Sequence, residues 1–275
     1  MIGLGAIGGS VAWRATQAGI ARVVGWTRER ADGIEALKRE AVTDLAESPE
    51  RAARGAALVL LAVPPGATLD LLGRVRPWLA PGAIVTDVAS VKREVVERAC
   101  REGLAERFAG GHPLAGTHAT GFAAARPDMF AKAVVYVCPT GSPAGGQAAH
   151  GVAGFWREVM DAQPVLIEAA THDELLAWTS HLPQVVASAL AVALAERGLR
   201  GVSYGPGGRD TTRLAASDPA LWADILLQNR DAVASAITAM SGSLSRLAAL
   251  LERRDATALA AYLEQGANFR RGIDR

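Results

Sequence analysis

Three glycines in the first eight residues constrain this chain more than any other feature. They follow the spacing Gly3-x-Gly5-x-x-Gly8, and the residues after them, Gly9 to Ala18, are predicted to form a helix. A strand from Ala21 to Trp26 is predicted next, and this is the context that a dinucleotide-binding turn requires. In such a turn the first glycine allows a tight bend, the second lets the backbone approach a pyrophosphate, and the third lets helix and strand pack closely.

The residues beside this turn are assigned to the same dinucleotide site. Ala6 and Ile7 lie at the start of the predicted helix, where unpaired N–H groups attract an anion. An apolar run from Leu58 to Val63 is typical of a strand covered on both faces, and Val63 and Pro64 stand at its end.

The first strand of this pattern is almost missing, because only Met1 and Ile2 precede Gly3. Either the strand is truncated or it begins upstream of Met1. A truncated central strand would weaken the domain, since its neighbours would lose ladder hydrogen bonds.

The end of the second predicted strand distinguishes between the two nicotinamide dinucleotides. NAD sites usually carry Asp or Glu there to bind the ribose hydroxyls. This chain has Thr27 and Arg28, which would bind a 2′-phosphate through charge-assisted hydrogen bonds. The sequence therefore predicts NADP, with NAD as the alternative if Arg28 is solvated and Glu29 turns back to the ribose.

Strands and helices alternate in the first half of the chain, and strands are predicted at 21–26, 58–63, 83–86, 133–137 and 164–168. This alternation predicts a parallel sheet built from right-handed crossovers. Ser48 is expected to cap a helix that begins at Pro49. From Thr171, which has capping-box spacing with Glu174, only helical periodicity follows.

We therefore expect an α/β fold, with a Rossmann-type dinucleotide-binding domain at residues 1–170 and an all-α domain at residues 171–275. Helices of the second domain are apolar on more than one face, so they need a partner beyond their own domain. A homodimer with a shared helical core is the predicted assembly.

Composition narrows the class of ligand and the compartment. A net charge of +1 over 275 residues favours neither nucleic acid nor an anionic membrane, so the expected ligand is a small molecule. The start of the chain has no features of a secretory signal, and we expect no apolar run that spans a bilayer.

The cysteines, Cys100 and Cys138, follow no metal or redox spacing. We expect two buried free thiols, no bound metal and a cytoplasmic location.

Four later segments occur in a fixed order. They are Asp87-Val-Ala-Ser90-Val-Lys92, Gly110-Gly-His112-Pro-Leu-Ala-Gly116-Thr117, Ser180-His181-Leu-Pro183, and Gly207-Gly-Arg209-Asp210-Thr-Thr-Arg213 with its continuation through Ser217-Asp218-Pro219 to Trp222. Together they resemble the prephenate dehydrogenase family of tyrosine biosynthesis, which includes arogenate and cyclohexadienyl dehydrogenases. The resemblance covers nearly the whole chain and implies a Rossmann domain followed by a helical dimerisation domain.

The resemblance implies an oxidative decarboxylation, in which hydride leaves ring carbon C4 of prephenate for the nicotinamide. The C4 hydroxyl loses its proton, and carbon dioxide leaves as the ring becomes aromatic. His112 matches the family's catalytic histidine, and a neutral imidazole in a loop after a strand can accept that proton. Ser90 would hydrogen-bond the same hydroxyl, although it could also cap a helix beginning near Val91.

The resemblance also implies the substrate-binding residues. Arg213 is expected to bind a carboxylate through its guanidinium fork. His181 is expected to face the substrate from a helix that the proline two residues later kinks. Asp210 would orient Arg213 from the same helical face or take part in a gate. Thr117 is a further implied contact, and Trp222 lies either near the partner's site or in the dimer core.

Structural alternatives remain for several of these residues. Lys92 is expected to be a solvated first-turn residue and Asp87 a simple cap, while Ser217 or Asp218 would cap the next helix. His118 stands where many relatives carry an acid, so we expect a preference for prephenate over arogenate. The alternative functions are arogenate dehydrogenase, another two-domain reductase, and a dinucleotide sensor or scaffold without turnover.

Overall fold

The computed structural model of the chain describes residues 1–116 and 119–273. Its N-terminal half alternates helices and strands: α1 (Ala6–Gln17), β1 (Val24–Gly25), α2 (Arg30–Lys38), β2 (Asp44–Leu45), α3 (Pro49–Ala53), β3 (Leu58–Leu61), α4 (Pro65–Val75), β4 (Ile84–Asp87), α5 (Arg93–Arg101), β5 (Phe108–Pro113), β6 (Val134–Pro139), α6 (Pro143–Glu158) and β7 (Gln163–Leu166). The helical half follows: α7 (Ala169–Leu176), a π-helical turn (Ala177–His181), α8 (Leu182–Glu196), α9 (Pro206–Thr212), α10 (Pro219–Gln228), α11 (Arg230–Glu252) and α12 (Ala256–Ile273). Short 3-10 turns lie at Arg76–Trp78, Phe122–Ala124 and Arg213–Ala216.

The sheet is parallel except at one pairing. Five strands lie in the order β3-β4-β5-β6-β7, and β1 pairs with β2 beside them. β6 runs antiparallel to β5, whereas β3-β4, β4-β5 and β6-β7 are parallel. The prediction of a purely parallel sheet is therefore wrong at β5-β6. In the described part of that connection the only helix is the 3-10 turn Phe122–Ala124, and a parallel return would need a longer crossover.

The central strand consists of little more than Ile2, as the sequence indicated. Ile2 is fully buried and bridges in parallel to Trp26 on one side and Leu61 on the other. It joins the β1-β2 pair to the five-stranded sheet. The strand predicted from Ala21 to Trp26 is reduced to Val24–Gly25, because so short a neighbour offers few ladder partners.

The N-termini of α3 and α7 show whether the helix caps predicted at Ser48 and Thr171 form. The Ser48 side chain accepts the N–H of Arg51, so the predicted cap of α3 is confirmed. The predicted capping box at Thr171 is wrong, since α7 begins at Ala169 with Glu168 at its N-cap. The N–H of His172 already bonds the Glu168 carbonyl, which places Thr171 inside the first turn.

Hydrophobic burial is concentrated in the N-terminal half. Two core clusters lie there, and they include Leu60 and Trp156 in one and Phe108 in the other. Cys138 is buried in this core as predicted, but Cys100 is exposed. The prediction for Cys100 fails because the last turn of α5 presents that position to solvent.

Two helical segments, Ala169–Glu196 and Arg230–Glu252, are long and apolar enough to cross a membrane by length and composition alone. The expectation that no run reaches this length is wrong, because α7, the π turn and α8 form one continuous segment. One or two such helices are weak support for a membrane span, since a core helix passes the same test.

Candidate functional site

The glycine turn lies at the carboxyl edge of the sheet, between Ile2 and α1. Gly3 has φ of 99°, and a Cβ atom there would overlap the carbonyl oxygen of Ala62. A Cβ atom on Gly8 would overlap the carbonyl oxygen of Gly3. A Cβ atom on Gly5, in contrast, would meet nothing within 4 Å. Gly3 and Gly8 are therefore required by packing, while Gly5 leaves space at the N-terminus of α1 for a pyrophosphate.

The turn lies where the strand order reverses, because the chain leaves Ile2 for β1 on one side and later returns to β3 on the other. Open α/β sheets bind ligands at this position. Ala6 and Ile7 begin α1, and Val63 and Pro64 follow β3 at the same edge. The geometry fits a dinucleotide across the turn.

Thr27 and Arg28 follow β1 at this edge and precede α2. Thr27 is half-buried, whereas the Arg28 side chain is 89% exposed and lies 3.3 Å from the Glu29 carboxylate. An exposed pair of this kind contributes little stability, so Arg28 is available to a ligand.

His112 belongs to β5, and the prediction that it lies in a loop is wrong. Its strand pairs with β6, which sets His112 opposite Tyr136. Beside them is an open cavity of about 680 Å³, lined by the end of β5 and by the first turns of the helical half, including Leu175, Thr179 and Ser180. The two halves of the chain therefore meet at His112.

A buried ion pair lies beneath this site. Lys92 and Asp87 are both fully buried, and the Lys92 ammonium donates to the Asp87 carboxylate. Asp87 also accepts the N–H groups of Ala89 at 2.9 Å and Gly111 at 3.1 Å. The expectations of a solvated Lys92 and a simple cap at Asp87 are wrong. The Lys92 side chain passes close to Gly110, where a Cβ atom would lie only 2.9 Å from its Cδ.

Ser90 is half-buried in the loop between β4 and α5, at the carboxyl edge beside β5. It makes no capping bond to α5, which begins at Arg93, so that alternative is wrong. The Asp173 carboxylate fills this role from α7, accepting the N–H groups of Lys92 at 2.8 Å and Arg93 at 2.9 Å.

His172 and Asp173 were not predicted as site residues from the sequence. The His112 Nδ1 atom lies 2.8 Å from His172 Nε2, and His172 Nδ1 lies 2.7 Å from Asp173 Oδ1. Both residues are buried. The available signal was an adjacent His-Asp pair at the start of an otherwise apolar helix, between the two residues assigned to a capping box.

Burial determines the protonation of these rings. Desolvation, followed by the nearby His172, Lys92 and His181, holds the pKa of His112 well below 6.5. Desolvation also lowers the pKa of His172, although its hydrogen bond to Asp173 opposes the shift. Both imidazoles are therefore neutral at pH 7.

His181 is buried in the π-helical turn, two residues before Pro183. A proline there removes the backbone bond to residue 179, and the wider turn accommodates the loss. Desolvation lowers the pKa of His181 to about 4. The Trp222 ring packs edge-on against His181 in the same chain, with centroids 6.1 Å apart.

The hydrogen bonds of Asn229 fix the tautomer of His181. Its amide nitrogen lies 2.8 Å from the Asp173 carbonyl oxygen, which can only accept, and 3.1 Å from His181 Nδ1. His181 Nδ1 therefore accepts, and Nε2 carries the proton. Within residues 1–116 and 119–273, no hydrogen-bond partner meets that buried Nε2 atom.

The remaining predicted residues lie on the helical half. Asp210 is exposed in α9, and Arg213, also exposed, begins the following 3-10 turn. This turn packs on α8. There the amide of Gln184, which lies three residues after His181, donates to the Leu214 carbonyl at 2.9 Å. Asp218 caps α10, as one alternative predicted. Thr117 and His118 lie outside the described residues.

Both halves match models of one protein family. Residues 14–163 match the prephenate dehydrogenase nucleotide-binding domain, and residues 168–265 match the prephenate dehydrogenase dimerization domain. The chain belongs to the prephenate dehydrogenase family. The predicted order of a nucleotide-binding Rossmann domain and a helical dimerisation domain is confirmed.

Individual relatives belong to the same family as the two matched domains. The chain is 30% identical to a prephenate dehydrogenase of Lactococcus lactis over 100% of this chain and 77% of the relative. It is 33% identical to a cyclohexadienyl dehydrogenase of Zymomonas mobilis, covering 98% and 94% of the two chains. A crystal structure of prephenate dehydrogenase from A. aeolicus, in complex with hydroxyphenyl propionate and NAD+, superposes with a TM-score of 0.91 at 28% identity, covering 99% of this chain and 96% of that one.

Proposed function

We propose that this chain is a prephenate dehydrogenase, which converts prephenate to 4-hydroxyphenylpyruvate and carbon dioxide as it reduces NADP. The observation that carries the proposal is a neutral His112 in β5 that lines an open cavity between the two halves. The family supports the reaction, since the named relatives are dehydrogenases of prephenate or cyclohexadienyl compounds.

The residues of the site have distinct tasks in this reaction. His112 accepts the proton of the C4 hydroxyl and returns it to the phenol oxygen once the ring is aromatic. Ser90 donates to or accepts from the same oxygen at the carboxyl edge of β4. A bound dinucleotide supplies the hydride acceptor, and the electrons of the broken carbon–carbon bond remain in the ring as carbon dioxide leaves.

Substrate binding is assigned to the helical half. The His181 Nε2–H group, which is buried and has no partner among the described atoms, is suited to donate to a substrate oxygen. Arg213 would bind a carboxylate through its fork, with Asp210 orienting it. Trp222 would hold the His181 ring in place, and Thr117 completes the proposed set.

The dinucleotide is assigned to the turn and the edge beside it, comprising Gly3, Gly5, Ala6, Ile7, Gly8, Thr27, Arg28, Val63 and Pro64. NADP is preferred because Arg28 follows β1, where NAD sites carry a carboxylate. Glu29 pairs with Arg28, and that exposed pair is weak enough to yield to a phosphate.

We also propose a homodimer formed through the helical half, a domain boundary near residue 170, and a cytoplasmic location. Large apolar side chains exposed on α10, α11 and α12 support the dimer, since a second copy would cover them. The two free thiols suit a reducing compartment.

The deciding experiment is absorbance at 340 nm with purified protein, prephenate and either NADP or NAD. We expect faster reduction of NADP, and a loss of roughly 10²–10⁴-fold in kcat in His112→Asn. The exposed His150→Asn serves as the matched histidine control and should retain wild-type rates. Dinucleotide binding without reduction would support the sensor alternative. A higher kcat/KM with arogenate than with prephenate would overturn the substrate assignment based on His118.

A further inference from the structure

A chain of hydrogen bonds runs from His112 into the seam between the two halves. His112 Nδ1 meets His172 Nε2 at 2.8 Å, and His172 Nδ1 meets Asp173 Oδ1 at 2.7 Å. The histidine of the site lies in β5, whereas the two residues behind it lie in α7. The arrangement therefore forms only when the helical half packs on the sheet.

The direction of each hydrogen bond follows from the last member of the chain. Asp173 accepts two backbone N–H groups, from Lys92 at 2.8 Å on Oδ1 and from Arg93 at 2.9 Å on Oδ2, so both of its oxygens act as acceptors. Because Asp173 Oδ1 accepts, His172 Nδ1 carries a proton and donates it. A neutral His172 then has a bare Nε2 atom, which accepts from the Nδ1–H of His112. The basic atom of His112 is consequently Nε2.

We propose that His172 and Asp173 are positioning residues that hold His112 as the Nδ1–H tautomer, leaving Nε2 free to take the substrate proton. The inference rests on the proposed function and deepens it. When Nε2 takes the hydroxyl proton, the positive charge on His112 is stabilised through Nδ1–H by His172 and, behind it, by Asp173. No proton needs to move along the chain, because each N–H stays on its own nitrogen.

Several charged or titratable groups surround His112 and affect its titration. Lys92 and Asp87 lie beneath it on the side of β4, Asp173 and His172 lie behind it on α7, and His181 lies on the π turn. Lys92 and the two histidines disfavour a cation at His112, whereas Asp173 supplies the negative charge at the end of the hydrogen-bonded chain.

Two substitutions of His172 separate positioning from packing. His172→Leu removes both hydrogen bonds while filling similar volume. His172→Gln places an amide oxygen near the position of Nε2, where it can accept from His112, and its amide nitrogen can donate to Asp173. Asp173 itself is unsuitable as the first test, because its loss would also uncap α5.

The direct readout is the ¹⁵N spectrum of the histidine side chains, of which the chain has five, with the His112 signals assigned by comparison with His112→Asn. In the wild type we expect a protonated Nδ1 and an unprotonated Nε2 for His112. In His172→Leu we expect the other tautomer to become populated, and His172→Gln should restore the wild-type pattern. A wild-type His112 protonated at Nε2, or a pattern unchanged in His172→Leu, would overturn the proposal.

Steady-state kinetics provide the second readout. We expect kcat to fall about 10²-fold in His172→Leu, with KM for the dinucleotide unchanged and most of kcat restored in His172→Gln. Equal loss in both variants, with thermal midpoints matching the wild type, would contradict the positioning role. The spectrum is recorded without substrate, so it tests the tautomer independently of the reaction. If the wild type shows the expected tautomer but does not oxidise prephenate, the proposed function is rejected and the tautomer assignment stays supported.

Discussion

The nucleotide-binding half and the helical half bury their apolar residues in different ways. The nucleotide-binding half encloses two clusters around a sheet covered by helices. In the helical half, α11 spans 23 residues and buries only Val233 and Ala236, and α12 has no buried residue among those described. One half is complete within a single chain, whereas the other has the surface of a core whose second part lies on another molecule.

This difference explains where the reactive groups lie. His112, Ser90 and the Lys92–Asp87 pair come from the self-contained half, on β4, β5 and the loop after β4. His172 and Asp173 come from α7, and His181 comes from the π-helical turn that follows it. The proposed chemistry therefore lies at the seam, and each half should respond differently to substitution.

The largest effect is expected from Gly8→Ala in the nucleotide-binding half. The new methyl group would overlap the Gly3 carbonyl oxygen, and neither backbone segment can move without disrupting the turn. We expect a loss of about 3 kcal/mol in the free energy of unfolding, or roughly 10 °C in the thermal midpoint. Differential scanning calorimetry would measure it.

Gly5→Ala is the matched control, since its methyl group would meet no protein atom within 4 Å and its φ of −75° suits alanine. This variant should melt within a few degrees of the wild type yet bind NADP more weakly, by about tenfold or more. Equal melting temperatures for the two variants would contradict the packing argument. Unchanged NADP affinity in Gly5→Ala would contradict the placement of the pyrophosphate.

The sequence predicted the parts of the fold that depend on local pattern. Turn glycines, the cap at Ser48 and the order of the two domains follow from spacing and periodicity. The antiparallel β6 could not be read this way, because strand direction depends on a connection whose course is not written in the strand itself. The burial of Lys92 was also missed, since a lysine in a polar segment is usually solvated unless a distant carboxylate is brought to it.

The site was predictable only as far as one residue could be judged alone. His112, Ser90 and His181 were all predicted through the family resemblance. His172 and Asp173 were missed because their partners, His112 and the N-terminus of α5, are 60 and about 80 residues away in the chain. Such long-range hydrogen bonds have no periodic signature.

A smaller effect is expected when the exposed face of the helical half is charged. Leu244 and Leu251 lie seven residues apart on α11, and they are 55% and 57% exposed in the single chain. We expect the double substitution Leu244→Glu and Leu251→Glu to weaken the homodimer by about 10²-fold or more, because a carboxylate would be buried without a partner. Light scattering with size-exclusion chromatography would show the mass of one chain at micromolar concentration.

The matched control places the same two charges on the nucleotide-binding half. Ile34 and Leu37 are exposed on α2 by 42% and 44%, so their double substitution by glutamate should leave the dimer intact. Dissociation by both variants would remove the distinction between the two surfaces. A wild type of single-chain mass would reject the homodimer itself.

The smallest effect concerns pH and the seam. In the folded protein His181 takes up a proton as the pH falls to its lowered pKa of about 4, whereas an unfolded histidine takes one up near pH 6.5. Between these values the unfolded state holds more protons, so the free energy of unfolding should fall as pH falls from 6.5 toward 4.

His181→Asn should lose less stability between pH 7 and pH 5 than the wild type, measured as the change in urea midpoint. Some dependence will remain, because His112 and His172 also have lowered pKa values. The exposed His150→Asn should follow the wild type, and a His181→Asn variant that does so as well would show that His181 is not neutral inside the seam.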